Sequence, residues 1–397
     1  MKAEWKNAKL GVIADVQSGG TPAISNKQLW DGGIPWYSSG ELNNTFTTDP
    51  ARTVSAAGLE KSNAKLFPAG SLLIGMYDTA AMKMSILDRD GAFNQAIAGV
   101  KPNDQINIRF IFYALNSIKE ELLGQRRGVR QKNLSLGKVR DFLFPFPSLK
   151  DQQRIVTLLD EAFDGIATAK ANAEKNLQNA RAIFESYLQS VFLGQGAGWK
   201  CVAFEDAVDS TCTLSYGIVQ PGEEYAGGLP IVRPTDLSTK IIKIEGLKRI
   251  DPDLANSYRR TTLRGGDLLL CVRGTTGQIS IASTELAGAN VTRGIVPIFF
   301  ERTVASQDFG YYLMRSGFVQ SQIREKTYGT ALQQINIGDL RNLKLPIPPK
   351  AEQEALTTRF NDLSDETQRL ESIYQQKLTA LDELKKSLLH RAFSGDL

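Results

Sequence analysis

The chain has 397 residues, of which 42% are hydrophobic and 23% are charged, and its formal net charge is +4 at pH 7. This length exceeds what one ordinary hydrophobic core needs and predicts at least two domains. No run of about 18 apolar residues occurs and the single histidine is His390, which excludes a membrane-spanning protein and disfavours a site built from several imidazoles.

The N-terminal segment and the cysteines predict a cytoplasmic protein. Residues 1–6 mix charged and apolar side chains and lack the apolar core of a signal peptide. Cys201, Cys212 and Cys271 form no CxxC spacing. We therefore expect reduced thiols rather than a metal site or a disulfide framework.

The first 149 residues predict a domain of mixed α and β structure. A Gly-Gly-Ile-Pro turn lies at 32–35, a turn followed by an apolar strand at 69–74, and a short buried helix at 110–115. A Pro-Phe-Pro segment at 145–147 ends this domain, because two prolines stop regular structure.

A long helix is predicted in residues 150–195, because the stretch up to residue 193 contains no proline and almost no glycine. Its apolar residues recur at sevens in two interleaved rows, which is the pattern of a coiled-coil seam. The seam residues assigned here are Ile155, Leu159, Ile166 and Ile183.

The rest of the chain repeats this plan in the same order, with a period of roughly 200 residues. Gly-Gly-Leu-Pro at 227–230, a turn and strand at 265–270, a helix at 309–314 and Pro-Ile-Pro at 346–348 match the segments of the first half. A second domain is therefore predicted at 196–349.

A second long helix is predicted at 350–397, with a seam in register with the first. Two matched helices in one chain pack most simply on each other as an antiparallel pair, although a seam of this length could also serve a foreign partner. The assigned seam residues are Leu356, Phe360, Leu363, Leu370 and Leu381.

Two domains, each followed by a proline-bounded long helix, resemble over the whole chain the specificity subunits of type I restriction-modification systems. The family's hallmarks are the two Pro-x-Pro segments, the helix starts Asp-Gln-Gln at 151–153 and Glu-Gln-Glu at 352–354, and Ala-Phe-Ser-Gly at 392–395. The first helix departs from this pattern, since it ends in Val-Phe-Leu-Gly at 191–194.

The resemblance implies an α/β fold of mixed sheets, with two repeated target recognition domains joined by two antiparallel coiled-coil helices. It implies a non-catalytic subunit that binds double-stranded DNA and needs no cofactor. Each domain would read one half of a bipartite target, while the helices set the spacer and hold two methyltransferase subunits. Restriction and translocase subunits would join through that complex.

Polar loops before the proline segments are the first candidates for DNA contact, because cations bind phosphates and amides or guanidinium groups read base edges. The alternative is an ordinary solvated surface. The residues assigned are Arg126, Arg127, Arg130, Gln131, Lys132 and Asn133 in the first half, and Tyr328, Thr330, Gln333, Gln334 and Asn336 in the second.

A second pair of loops follows the apolar strands, and a third follows the Gly-Gly-x-Pro turns. Arg273 is the best single candidate for bidentate recognition of guanine, unless it pairs with a nearby carboxylate. The second set contains Tyr77, Thr79, Arg273, Thr275, Thr276 and Gln278, and the third contains Tyr37, Ser38, Arg233 and Thr235. Because the loop residues differ between the halves, an asymmetric target is expected.

Motifs for methyl transfer and for ATP binding are absent from the sequence. It contains neither an Asn-Pro-Pro-Tyr-like segment nor a GxxxxGK[ST] loop. Two alternatives stay open, an interaction scaffold of paired helices without DNA contact and a DNA-modifying enzyme of an unfamiliar type. Salt dependence of duplex binding distinguishes the scaffold, and a methyl-transfer assay distinguishes the enzyme.

Overall fold

The computed structural model describes residues 5–124, 134–330 and 332–394. The chain forms two compact units, one comprising residues 1–173 and 376–397 and the other residues 174–375. Each unit contains one globular domain and parts of both long helices. No helix in these described ranges is long and apolar enough to cross a membrane.

In the described part of the chain, the first unit has nine short strands in three sheets. They are β1 (Lys6–Lys9), β2 (Val16–Ser18), β3 (Trp30–Tyr37), β4 (Arg52–Val54), β5 (Leu72–Gly75), β6 (Met84–Ile86), β7 (Ala92–Phe93), β8 (Ile97–Val100) and β9 (Leu143–Phe146). The sheet orders are β1-β9, β2-β8-β5-β6 and β4-β3-β7. Only the pairing of β3 with β7 is parallel among these strands.

The helices of the first unit begin at polar caps. Asn107 accepts hydrogen bonds from the backbone of Arg109 and Phe110, and Ser135 accepts one from Lys138, which satisfies amides that a helix start leaves free. The helices are α1 (Leu10–Ile13), α2 (Ala56–Glu60), α3 (Ile108–Ser117), α4 (Lys119–Gly124) and α5 (Leu136–Arg140). The long helix α6 (Leu149–Leu193) begins in this unit and continues into the second.

The second unit repeats these strands except for one edge strand of its four-stranded sheet. They are β10 (Lys200–Ala203), β11 (Leu229–Val232), β12 (Ile241–Ile242), β13 (Lys248–Ile250), β14 (Leu268–Cys271), β15 (Ile279–Ala282), β16 (Asn290–Val291), β17 (Ile295–Ile298) and β18 (Lys344–Ile347). The sheet orders are β10-β18, β12-β15-β14-β17 and β13-β11-β16. The parallel pairing of β12 with β15 corresponds to the single parallel bridge between Phe46 and Ile86 in the first unit.

The helices of the second unit also follow the order of the first. They are α7 (Phe204–Ala207), α8 (Gln307–Arg315), α9 (Gly317–Lys326) and α10 (Ile337–Arg341). The long helix α11 (Lys350–Ser394) begins in this unit and continues into the first. Ser306 and Ser316 cap α8 and α9 through their side-chain oxygens. The predicted fold of two repeated mixed α and β domains joined by a long helix is confirmed.

The strands β5 and β14 are buried on both faces, so alternate side chains enter two different cores. Leu72 packs beneath α3, whereas Leu73 points to the opposite face and packs with Phe67 and Phe93. In the second unit Leu268 and Leu269 divide between two cores in the same way. This explains why both strands read as uninterrupted apolar runs.

Within each unit, the start of one long helix packs against the end of the other. In the first unit Lys385 of α11 lies over the ring of Phe163 of α6, with its Nζ 5.0 Å from the centroid. In the second unit the rings of Tyr187 of α6 and Phe360 of α11 are 5.8 Å apart. The two helices therefore run antiparallel.

The predicted seam residues of α6 are buried except for one. Ile155, Leu159 and Ile166 are buried, whereas Ile183 is 46% exposed and was assigned wrongly. In this part of α6 the buried residues are Leu177 and Phe184. Phe184 is buried in place of Ile183 because its ring packs against Tyr312 in the core of the second domain. In α11, Leu356 and Phe360 are buried, while Leu363, Leu370 and Leu381 are half-buried.

A tyrosine hydroxyl joins each domain to its helix at equivalent positions. Tyr113 donates to Asp160 Oδ1 at 2.6 Å, and Tyr312 donates to Asn361 Oδ1 at 2.6 Å. Burial raises the pKa of both tyrosines to about 12, so each hydroxyl keeps its proton and remains a donor at neutral pH.

A buried glutamine also fixes the first turn of each long helix. Gln152 is fully buried and donates to the carbonyls of Gln105 (3.2 Å) and Pro147 (3.1 Å). Gln353 is 2% exposed and donates to the carbonyls of Val304 (2.8 Å) and Pro348 (3.0 Å). These bonds tie the helix start to both the domain and the proline segment.

We predict that Gln353→Leu lowers the free energy of unfolding by about 2 to 4 kcal/mol, because it leaves buried carbonyls without a donor. Glu354→Leu, at the exposed neighbouring position, should change it by less than about 0.5 kcal/mol. Urea denaturation monitored by circular dichroism measures both variants. Equal unfolding midpoints for the two variants would contradict a clamping role.

Candidate nucleic-acid interface

Three loops meet at one end of the four-stranded sheet of the second unit. The amide of Val272 donates to Gly294 (2.8 Å), and the amide of Ile335 donates to Val272 (3.1 Å). Arg273 forms an antiparallel bridge with Gln334. The sheet end therefore gathers the loop after β14, the turn before β17 and the segment before α10.

The Arg273 guanidinium is available at this end of the sheet. The residue is half-buried, and among the described residues no carboxylate forms an ion pair with it. The expected alternative, pairing with a nearby carboxylate, therefore finds no support. A guanidinium without an internal partner can present its fork of donors to an acceptor pair such as guanine O6 and N7.

Tyr216 and Arg293 belong to the same surface and were not identified from the sequence. The Tyr216 hydroxyl donates to the carbonyl of Ile335 at 3.2 Å, and Arg293 is exposed. Burial raises the pKa of Tyr216, while the charges of Arg293 and Arg273 act in the opposite direction. The backbone amide of Arg293 donates to the carbonyl of Ile218, two residues after Tyr216, at 2.8 Å. The internal repeat could have identified Arg293 as a candidate, because it precedes β17 by two residues just as Gln95 precedes β8 by two residues.

The segment before α10 is a hairpin closed by backbone bonds. Tyr328 and Gln334 exchange two backbone hydrogen bonds of 2.9 Å, and the Tyr328 hydroxyl donates to Asn336 Oδ1 at 2.7 Å. Thr330 and Gln333 are exposed at the tip. The hairpin therefore presents polar groups beside Arg273.

All three predicted residues that follow Arg273 make hydrogen bonds that support the loop, and the exposed Thr275 donates its hydroxyl to Cys271 Sγ at 3.5 Å. The Thr276 hydroxyl donates to the carbonyl of Gln333 at 3.3 Å, and Gln278 donates through its amide to the carbonyl of Leu237. Gly277, with a φ of +93°, is held by Gln320, whose amide donates to its carbonyl at 2.9 Å.

The first unit repeats the backbone frame of this site. The amide of Met76 donates to Ala96 (2.9 Å), and the amide of Leu134 donates to Met76 (2.7 Å). Tyr77 is half-buried and Thr79 is exposed after β5. The predicted residues Arg126, Arg127, Arg130, Gln131, Lys132 and Asn133 lie outside the described residues.

The third predicted set is mostly structural. Tyr37 is 1% exposed and packs in an apolar cluster, so its assignment to the DNA surface is corrected. Ser38 bonds to Glu41 at 2.7 Å through its backbone amide and its hydroxyl, and Arg233 bonds to Asp236 in the corresponding turn. These pairs close 3-10 turns, whereas Thr235 is exposed.

The chemistry of the site is that of a binding surface. It offers guanidinium, amide and hydroxyl groups on loops held by a rigid sheet, the arrangement suited to reading base edges and phosphates. Within the described ranges, no group of three or more histidine, cysteine or acidic residues could hold a metal ion.

Comparisons with known proteins agree with this arrangement. The EcoBI specificity subunit of a type I restriction enzyme from Escherichia coli is 23% identical over 396 residues, covering 91% of this chain and 82% of that protein. The HsdS subunit from Thermoanaerobacter tengcongensis has the same fold, with a TM-score of 0.67 at 17% identity, covering 99% of this chain and 97% of that chain.

A chain from a structure of the complex assembly and conformational transition of the type I R-M system gives a TM-score of 0.77 at 17% identity. That match covers 99% of this chain and 98% of the other. A family model described as the type I restriction modification DNA specificity domain matches residues 2–178 and 220–380. Since the two segments matched by the family model span most of the sequence, the chain belongs to the family of type I restriction modification DNA specificity domain proteins.

Proposed function

We propose that the chain is the DNA-reading specificity subunit of a type I restriction-modification enzyme in the cytoplasm. Residues 1–149 and 196–349 are its target recognition domains, and residues 150–195 and 350–397 are its spacer helices. The subunit is non-catalytic. It binds double-stranded DNA and recruits two methyltransferase subunits along the helices, and the restriction and translocase subunits join through that complex.

One observation carries this proposal: the same loop frame occurs twice with different polar side chains. Met76 and Val272 make equivalent backbone bonds at the end of equivalent strands. Around that frame the second unit presents Arg273 and Arg293, whereas the first presents Thr79 and Gln95. A shared frame with changed reading groups favours two half-sites of different sequence over a palindrome.

DNA binding by the assembled complex should depend steeply on salt, because cations at the recognition surface, such as Arg273 and Arg293, displace counterions from phosphates. With about six phosphate contacts, affinity should fall on the order of a thousandfold between 50 and 200 mM salt. Fluorescence anisotropy with a labelled duplex measures the slope. A scaffold without DNA contact would give no binding at either concentration, and that result would favour the competing function.

Replacing Arg273 should relax recognition at one position of one half-site and leave the other half-site intact. A bidentate contact contributes about 1 to 3 kcal/mol, so Arg273→Ala should reduce discrimination at that position roughly 10- to 100-fold. Arg273→Lys should also lose discrimination while keeping the salt slope, since lysine retains the charge without the planar fork. Sequencing of methylated sites in cells measures the recognised motif.

Arg302 provides the matched control for this test. It is exposed and follows β17, which ends at Ile298 opposite Leu268, so it lies at the other end of the same sheet. Arg302→Ala should leave the motif unchanged. An unchanged motif in Arg273→Ala as well would assign Arg273 to phosphate contact or to the loop structure.

The length of the two helices should set the spacer between the half-sites. Removing one heptad centred on Asn176 and one centred on Lys377 keeps the apolar period and shortens each helix by about 10 Å. The methylated motif should then lose about 3 bp of spacer and keep both half-sites. An assembled, active variant that methylates the original spacing would refute this role of the helices.

A further inference from the structure

The two long helices carry opposite charges at two pairs of equivalent positions. Motif alignment places each residue of α6 201 positions before its counterpart in α11, as Gln152 and Gln353 show. On this alignment Lys170 corresponds to Glu371, and Arg181 corresponds to Asp382. The side of α6 that faces α11 is therefore basic where the matching side of α11 is acidic.

These four residues form two ion pairs between the helices, one in each unit. In the first unit Lys170 Nζ lies 2.6 Å from Asp382 Oδ1. In the second unit Arg181 Nε lies 3.0 Å from Glu371 Oε2. Because the helices run antiparallel, each position faces the counterpart of the other charged position.

A helix paired with a second copy of itself would therefore bring like charges together. In an antiparallel pair of two α6 helices, Lys170 of one copy would face Arg181 of the other, twice. In a pair of two α11 helices, Glu371 would face Asp382, again twice. Both arrangements replace attraction by repulsion at every one of these contacts.

The apolar rows alone do not prevent such pairing, because they recur in register. Leu159 corresponds to Phe360, and Phe192 corresponds to Phe393, and all four are buried. Because the buried apolar residues repeat at the same spacing, this face can pack against either helix. In coiled coils with equivalent apolar seams, the flanking charges determine which helices pair.

Contacts between the domains and the helices carry the same inversion. Glu185 of α6 pairs with Arg315 of the second domain, whereas its counterpart Lys386 of α11 lies 3.7 Å from Glu120 of the first domain. If α6 of another copy replaced α11 in the first unit, Glu185 would face Glu120. The domain contacts therefore oppose the same exchange.

We propose that these charges make helix pairing heterotypic, so that α6 accepts α11 and rejects α6 of a second copy of the chain. The excluded partner is a duplicate of this chain with like helices paired. The duplication of the fold creates that alternative, and the charge inversion disfavours it. This inference does not depend on DNA binding.

Exchanging the charges of one ion pair separates this proposal from general effects of charge. The variant Arg181→Glu with Glu371→Arg keeps both opposite-charge contacts within the chain. It also gives each helix one cation and one anion, so that like helices now attract. Exchanging both pairs, with Lys170→Asp and Asp382→Lys added, gives each helix a single sign again and restores the rejection.

The full-length variants are refolded from urea at several protein concentrations in low salt, and native mass spectrometry measures the dimer fraction. We expect the one-pair exchange to raise the dimer fraction several-fold above that of the natural sequence, and the two-pair exchange to return it to the natural level. In about 1 M salt, where screening reaches about 3 Å, the difference should disappear. Dimers that pair α6 with α11 are equally favoured in all three proteins and cancel from the comparison.

The other one-pair exchange, Lys170→Asp with Asp382→Lys, should give the same result. It provides an independent test if the first one-pair variant fails to fold. A dimer fraction that stays at the natural level in a folded one-pair variant would overturn the proposal. A rise that is the same in the one-pair and two-pair variants would also overturn it, because the pattern of sign would then be irrelevant.

Discussion

The structure depends on how each globular domain completes its core with the end of a long helix. Phe393, at the end of α11, packs against Phe110 of the first domain with ring centroids 5.2 Å apart. Its counterpart Phe192, at the end of α6, packs against Phe309 of the second domain at 6.0 Å. The helix α6 leaves the first domain and ends in the core of the second, and α11 leaves the second domain and ends in the core of the first. The core of each domain is therefore complete only when both helices are in place.

This constraint explains why the joints are polar and duplicated. Apolar packing fixes where the helix lies, and directional bonds fix how it is rotated and where it begins. Gln152 and Gln353 bind carbonyls of the proline segments, and Tyr113 and Tyr312 reach the next turns. A loop supported by such a frame can vary its side chains while its backbone stays in place.

Duplication also creates a problem of partner choice, since two halves with the same packing could exchange. The ion pairs along the helices lie at half-exposed positions, where a single pair contributes little to stability. Their value lies in their pattern of sign, which separates the correct pairing from a wrong one. The same exposed residues that contribute little energy can thus decide which helices associate.

The sequence by itself determined the repeated plan, the long helices and the positions of the loops, because periodicity, prolines and turn residues act locally. In the seam of α6, Ile183 is exposed and Phe184 is buried, because Phe184 packs against Tyr312 of the second domain. Only the tertiary structure decided which polar residues are available. Arg233 pairs with Asp236, and Tyr37 is buried. Arg273, in contrast, lies beside Gln334, and Arg293 lies near Tyr216. Strand pairing brings these neighbours together from distant parts of the chain.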